Sequence, residues 1–354
     1  MWMIYGANGY TGELIARAAA GEKPILAGRS REKIEPLARE LDCEWRVFEV
    51  DQPRLAGVSL VLHCAGPFVH TSAPMVRACL DAGAHYLDIT GEIAVFESIM
   101  RLDAEAKQRG VTLLPGVGFD VVPTDCLAAM LAKRLPDAND LILAFSGGGG
   151  ISAGTQKTIV EGLGKGGAIR RDGRIVTVPL LYDVREIPFP KRPRLAMTIP
   201  WGDVSTAYHT TGIPNIRVYR ATSPRAVKRL RRMKLLLPIL ALPPIKSFLV
   251  RLAAKQKGPD AVARERERME LWGRVTNANG EDVTMTVTTP EGYKLTVLTA
   301  IAAVKRVLAE PVQAGSFTPA RRFGAEFVLG IAGTTMGTAT TESQRTQRST
   351  EDSV

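Results

Sequence analysis

Three glycines, Gly6, Gly9 and Gly12, are spaced G-x-x-G-x-x-G near the start of this 354-residue chain. They follow the apolar run Met3-Ile4-Tyr5 and precede helical spacing at Leu14, Ile15 and Ala18. Strand, tight turn and helix start is the order that lets a phosphate touch bare backbone. First-turn N–H groups, helped by the helix dipole, then face a pyrophosphate. Gly6, Ala7, Asn8, Gly9, Tyr10, Thr11 and Gly12 are therefore the expected nucleotide loop. A lone glycine motif is weak, and it is the strand–turn–helix context that supports the assignment here.

The next apolar run, Pro24 to Gly28, ends in Arg29-Ser30-Arg31. About 20 residues past the fingerprint, NAD would be held by an acidic residue. Here Arg29 can pair with a 2′-phosphate and Ser30 can donate to it, so the expected cofactor is NADP(H). Ser30 also suits the cap of the following helix, and the two roles are compatible. Asp51 ends a third strand-like run, and Ala65, Gly66, Pro67 and Phe68 end a fourth; all are placed beside the cofactor.

Hydride transfer often needs a proton donor. Asp120, Glu92 and His209 are the candidates. Asp120 either donates or holds the turn before a helix. Glu92 and Asp88 either act or orient backbone. His209, beside Tyr208 in a loop-like stretch, could donate near neutral pH or serve structure alone. The four cysteines show no metal-ligand spacing, so no metal site is expected.

The elements that must position these groups alternate. Strands are expected at Trp45–Val50, Val58–Cys64, Tyr86–Ile89 and Val111–Pro115, with helices at Glu32–Leu41, Met75–Ala82 and Ala94–Arg109 between them. This predicts an α/β protein with a Rossmann-type, doubly wound parallel sheet. Its ligands belong at the carboxyl ends of the strands. Thr124 or Asp125 should cap a helix from Cys126 to Leu135. Beyond it the pattern turns β-rich, and Asn279-Gly280 between Trp272–Thr276 and Val283–Val287 signals a hairpin. The expected organisation is a nucleotide domain at 1–125, completed by a C-terminal helix within 309–335. An inserted α+β domain with a mixed or antiparallel sheet occupies 126–308, and a disordered tail occupies 340–354.

The net charge is +10, and no Asp or Glu occurs from Val204 to Pro259. Basic residues crowd 225–257 around the apolar segment Leu235–Val250. That segment is too short and proline-broken to span a bilayer. Core or homodimer contact, the cover of an acyl pocket, and peripheral membrane contact are its three readings. No nucleic-acid motif accompanies the charge. Scattered cysteines fit a reducing, cytoplasmic compartment, and no signal peptide is expected because the chain opens on a functional strand.

Five motifs together resemble the saccharopine dehydrogenase-like oxidoreductases. They are Gly-Ala-Asn-Gly-Tyr-Thr-Gly at 6–12, Leu-Ala-Gly-Arg-Ser at 26–30, Cys-Ala-Gly-Pro-Phe at 64–68, the stretch Ala78 to Glu92, and Gly-Phe-Asp-Val-Val-Pro-Thr-Asp at 118–125. Ile199–Asp203 and Ser316–Ala320 resemble the branch of trans-acting enoyl reductases. The resemblance implies an NADP-binding domain with a substrate domain inserted before its last helix. It leaves three functions in order: reduction of an unsaturated acyl or lipid-like substrate, a saccharopine-type reductase acting on an amino-acid imine, and a non-catalytic NADP-sensing or membrane-associated protein. The Tyr-x-x-x-Lys pair of short-chain dehydrogenases is absent.

Overall fold

The computed structural model describes residues 1–147, 150, 152–162, 164, 166–233, 243–253, 258–337 and 340–341. Strand β1 (Trp2–Tyr5) begins the first sheet. It is followed by β2 (Ile25–Gly28), β3 (Trp45–Val47), β4 (Leu60–His63), β5 (His85–Asp88) and β6 (Thr112–Leu114). A two-residue strand, Gly315–Ser316, adds to β6, and the order is Gly315–Ser316, β6, β5, β4, β1, β2, β3. Every neighbouring pair is parallel. Successive residues of these strands point to opposite faces. Ile4, Leu26, Leu60 and Leu62 enter one core, while Met3, Tyr5, Ile25 and Val61 enter another. Burial on both faces explains the unbroken apolar runs.

Between the strands lie α1 (Tyr10–Ala18), α2 (Arg31–Glu40), α3 (Phe68–Ala82), α4 (Ile93–Met100) and α5 (Asp103–Gln108). The doubly wound architecture is as expected, with local differences. Helix α3 begins at Phe68, seven residues earlier than the spacing suggested, because Pro74 sits inside it without ending it. The single helix expected over Ala94–Arg109 is two, broken between Met100 and Asp103.

The second sheet contains β7 (Asp140–Ser146), a Gly167–Arg171/Arg174–Val178 hairpin, strands Val184–Pro188 and Pro193–Thr198, and Asn215–Ala221. The Asn279-Gly280 hairpin pairs Arg268–Thr276 with Asp282–Pro290, with Thr276 opposite Asp282 and Gly280 at φ +85°. Asn215–Ala221 runs parallel to β7; the other main pairings are antiparallel. Helix α6 (Val122–Arg134) and α7 (Ala153–Glu161) follow β6 and β7. Ser152 caps α7 by accepting from the Thr155 N–H. Helix α8 (Asp203–Thr211) occupies what read as loop, so Tyr208 and His209 are helical.

Two helices tie the sheets together. Val122 and Cys126 of α6 enter the first core while Leu127, Ala128 and Leu131 enter the second. The helix Gly292–Ala309, not foreseen in the stretch assigned to the second domain, buries Leu295 in the second core and Ala300, Ala303, Val304 and Val307 in the first. The C-terminal helix expected within 309–335 is two short pieces, Pro319–Phe323 and Phe327–Gly330, with Thr318 accepting from Arg321 N–H as its cap. Of the expected disordered tail, Thr340–Thr341 pairs with Val283 and Thr284, and 342–354 lie outside the described residues. The apolar segment 235–250 is described only from Pro243, where a helix runs to Ala253 with Phe248 and Leu252 exposed. Helix Pro224–Met233 presents Arg225, Lys228, Arg229, Arg231 and Arg232 to solvent.

Candidate functional site

The glycine loop is fixed by its own backbone. Gly6 N–H and Ala7 N–H both donate to the Ala27 carbonyl, at 2.8 and 3.1 Å, and Gly9 N–H donates to Gly6 O at 2.9 Å. Gly6 has φ +86°, and a Cβ on it would meet Ala65 at 2.8 Å. A Cβ on Gly12 would lie 2.2 Å from Gly6 O. Only glycine fits such approaches. The first helical bond runs from Glu13 N–H to Gly9 O, so the N–H groups of Tyr10, Thr11 and Gly12 lead the helix. A phosphate fits this row of donors. The sequence-predicted loop residues and Ala65 are thus one constellation. Gly66 and Pro67 continue from it, and Phe68 is the buried first residue of α3.

Arg29 stands at the rim past β2, 74% exposed, with Glu49 at 4.0 Å its ion-pair partner. Ser30 is the N-cap residue of α2 but its hydroxyl makes no cap bond. Both remain available to a 2′-phosphate. Asp51 lies exposed beyond β3 and touches none of the loop's hydrogen bonds.

The predicted acids part company. Glu92 spends both carboxylate oxygens on the start of α3, accepting from Phe68 N–H and Val69 N–H at 2.8 Å each. This is a helix-N-terminal anchor. Asp88 is fully buried and accepts from Thr90 N–H, Gly116 N–H and Tyr86 O–H, which holds the β5 and β6 ends together. Burial still pushes its carboxyl up to about 6. Asp125, expected as the cap of its own helix, lies inside α6 and accepts from Ala320 N–H and Thr210 O–H. Its bond from Ala320 N–H adds to the Thr318 cap in holding the first turn of helix Pro319–Phe323.

Asp120 differs from all of these. It is half-buried in the turn between β6 and α6, and no hydrogen-bond donor among the described residues meets its carboxyl. A Cβ on Gly91 would lie 2.6 Å from its Oδ2. A Cβ on Gly202, which leads α8 of the second domain, would in turn lie 3.3 Å from Gly91 O. Desolvation, then the nearby Glu92 charge, raise Asp120 to about 7, with Arg220 opposing. A carboxylic acid protonated near neutrality at a strand's carboxyl end can deliver a proton. Beside it in sequence, Phe119 meets Phe145 edge-on, and Phe145 meets Trp201 at 4.8 Å, forming an apolar wall.

His209 is not placed with Asp120. Its Nε2 lies 3.3 Å from Glu97 Oε1, which also accepts from Ser205 Oγ at 2.6 Å and Arg170 Nη2 at 2.9 Å. Arg170 stacks on Tyr208, 4.1 Å from the ring centre, and donates to Val204 O and Gly173 O. Hydrogen bonding to His209 and then to Ser205, with the Arg170 charge, brings Glu97 down to about 2. This network pins α4 to α8. Neither Glu97 nor Arg170 carried a sequence signal, because they meet across 73 residues.

Above the glycine loop a third group assembles. Tyr10 O–H donates to Pro259 O, and Arg264 Nη1 donates to Tyr10 Oη at 2.8 Å and Pro259 O at 2.6 Å. The Tyr10 ring meets Tyr293 edge-on at 5.0 Å. Tyr293 O–H in turn accepts from Ser152 N–H at the start of α7. Sequence reasoning missed Arg264, which sat unremarked at the edge of the basic stretch. Among the described residues, no cluster of three His, Cys, Asp or Glu is placed to hold a metal ion, and no helix is long and apolar enough to cross a membrane.

Residues 2–114 match the family described as saccharopine dehydrogenase NADP binding domain. A trans-acting enoyl reductase of Mycobacterium tuberculosis is 28% identical over 199 residues, covering 50% of this chain and 48% of that protein. A human saccharopine dehydrogenase-like oxidoreductase is 26% identical over 202 residues, covering 48% and 47%. The matches thus span about half the length of these relatives. In structure, saccharopine dehydrogenase (L-Glu forming) of Saccharomyces cerevisiae superposes with TM-score 0.63 over 96% of this chain and 99% of that one, at 13% identity. That likeness concerns the fold. The glycine loop, the parallel sheet and these matches agree that residues 2–114 form a domain of the kind described as the saccharopine dehydrogenase NADP binding domain.

Proposed function

We propose that this protein is an NADPH-dependent reductase that saturates the carbon–carbon double bond of an enoyl or similar lipid-like substrate. The observation that carries the reading is Asp120, an unpartnered carboxyl raised to about 7 where the two sheets meet. NADPH would supply a hydride to one carbon of the double bond. Asp120 would supply the proton to the other, leaving a carboxylate that solvent reprotonates. Glu92 and Asp88 hold the backbone around it, and Arg29 with Ser30 would select the 2′-phosphate. The second sheet is the substrate domain in this reading, and the Phe119–Phe145–Trp201 wall suits an apolar chain. A saccharopine-type substrate carries several carboxylates and would call for a polar, arginine-lined pocket, whereas the wall beside Asp120 is aromatic.

The exposed basic helix Pro224–Met233, with Phe248 and Leu252 exposed on helix Pro243–Ala253, favours delivery of such a substrate from an anionic lipid surface. Cytoplasmic lipid metabolism is the setting that fits. NADPH oxidation by the purified protein tests the reading. A long-chain enoyl thioester should be reduced, and α-aminoadipate semialdehyde with glutamate should not. Oxidation with the second pair alone would replace the reading by imine reduction. Bound NADPH with neither acceptor reduced would favour a sensor.

A further inference from the structure

We propose that Arg264 is a cofactor-phosphate residue supplied by the second domain, held on Tyr10 at the mouth of the glycine loop and turned onto the dinucleotide pyrophosphate when it binds. This rests on the NADP(H) reading of residues 6–12.

Tyr10 is the first residue of α1, so its side chain leaves the backbone at the amide row that faces the phosphates. The Arg264 guanidinium is hydrogen-bonded to the far end of that side chain, and its central carbon lies 5.8 Å from the ring centre. The approach is built in. A Cβ on Gly258 would lie 2.4 to 2.7 Å from three atoms of the Tyr10 ring, so any other residue there would push the Tyr10 ring from its place. Pro259, next to it, is buried, and its carbonyl receives both Tyr10 and Arg264.

Charge supplies the second argument. Arg264 is half-buried, yet both its acceptors are neutral oxygens. The carboxylates within electrostatic reach are committed elsewhere. Glu265 pairs with Lys294, and Glu291 accepts from the Tyr293 and Lys294 N–H groups at the start of helix Gly292–Ala309. Among the described residues no carboxylate pairs with Arg264. A guanidinium with no carboxylate paired to it beside the positive end of α1 leaves room there for an anion that takes both of those positive fields. A diphosphate supplies paired acceptor oxygens that match a guanidinium fork.

The test is equilibrium binding of NADPH and of NADH to the full chain, read by nicotinamide fluorescence, with thermal unfolding as a second readout. Arg264→Ala should weaken both cofactors by the same factor, roughly tenfold or more for a lost charged hydrogen bond. It should also shrink the rise in Tm that NADPH gives the unsubstituted protein. Arg264→Lys should recover part of the affinity. Wild-type affinity in Arg264→Ala would overturn the proposal, as would a loss confined to NADPH, which would assign Arg264 to the 2′-phosphate. If Arg264→Ala does not fold, Arg264→Gln gives the same comparison with the side chain's bulk retained. If the unsubstituted protein binds neither cofactor, the nucleotide reading itself falls.

Discussion

Glu97 and Asp120 are both carboxylates at the boundary between the sheets, and their surroundings send them in opposite directions. Glu97 receives Arg170, Ser205 and His209 and is driven down to about 2. Asp120 receives no donor among the described residues and is driven up to about 7. Burial alone penalises charge; burial with donors aimed at the carboxylate rewards it. Glu97 thereby fastens the two domains, and Asp120 keeps a proton to give. His209, read from the sequence as a candidate donor, sits on the fastening side of that division.

Asp120→Asn should produce the largest effect. The amide keeps shape but cannot deliver a proton, so kcat should fall ~10²- to 10⁴-fold with the NADPH dissociation constant unchanged. In the unsubstituted protein kcat/KM should decline as pH rises through about 7, because the protonated form is the donor. Unchanged turnover in Asp120→Asn would erase the contrast.

Arg170→Ala comes next. Arg170 is 4% exposed, and removing it takes an ion-pair partner from Glu97 and the donors from Val204 O and Gly173 O, leaving Ser205 and His209 on Glu97. The loss should be about 3 kcal/mol in denaturant unfolding, with turnover lowered much less than by Asp120→Asn. The two acids should also give opposite pH slopes of stability. Glu97 is depressed in the fold, so its contribution is complete above the usual carboxylate value and disappears as pH falls through about 2. Asp120 is raised, so it costs stability progressively as pH climbs from its usual value near 3.8 to about 7. Denaturant midpoints of Glu97→Gln and Asp120→Asn against pH would show whether the slopes separate.

The smallest expected effect concerns a cation on the outside of this contrast. Arg29 is exposed where Arg170 is buried, so Arg29→Ala should leave stability alone. NADPH binding should weaken by about tenfold, the worth of one charged hydrogen bond, with NADH unaffected. Equal loss for both cofactors would detach Arg29 from the 2′-phosphate.

The first sheet was legible because its signals are local. Apolar runs buried on both faces and the glycine spacing act within a few residues, as does the Asn279-Gly280 turn that gives away one hairpin of the second sheet. What stayed hidden is non-local. Helix α8 carries Thr206, Thr210 and Thr211, poor helix formers that read as loop, but Val204 and Ala207 bury in the second core and override propensity. Thr124 or Asp125 reads as the cap of α6, whereas Asp125 lies inside that helix and accepts from Ala320 N–H, 195 residues away. Asp120 was found from the rule that ligands gather at carboxyl ends of strands, whereas its isolation from donors is a property of the packed chain. Arg264 was passed over because nothing in the sequence places Gly258 against Tyr10.

Gly315–Ser316 completes the first sheet by pairing with Thr112 and Leu113, and helix Gly292–Ala309 covers its core. Synthesis delivers both of these pieces long after β6 has emerged. The nucleotide domain therefore waits, with one core face uncovered, until the second sheet has been made. Loop closure over some two hundred intervening residues must precede these contacts, an entropic cost that slows the formation of this core face. A fragment ending near residue 125 should collapse without reaching native packing. Joining 292–337 directly to that fragment should restore cooperative folding.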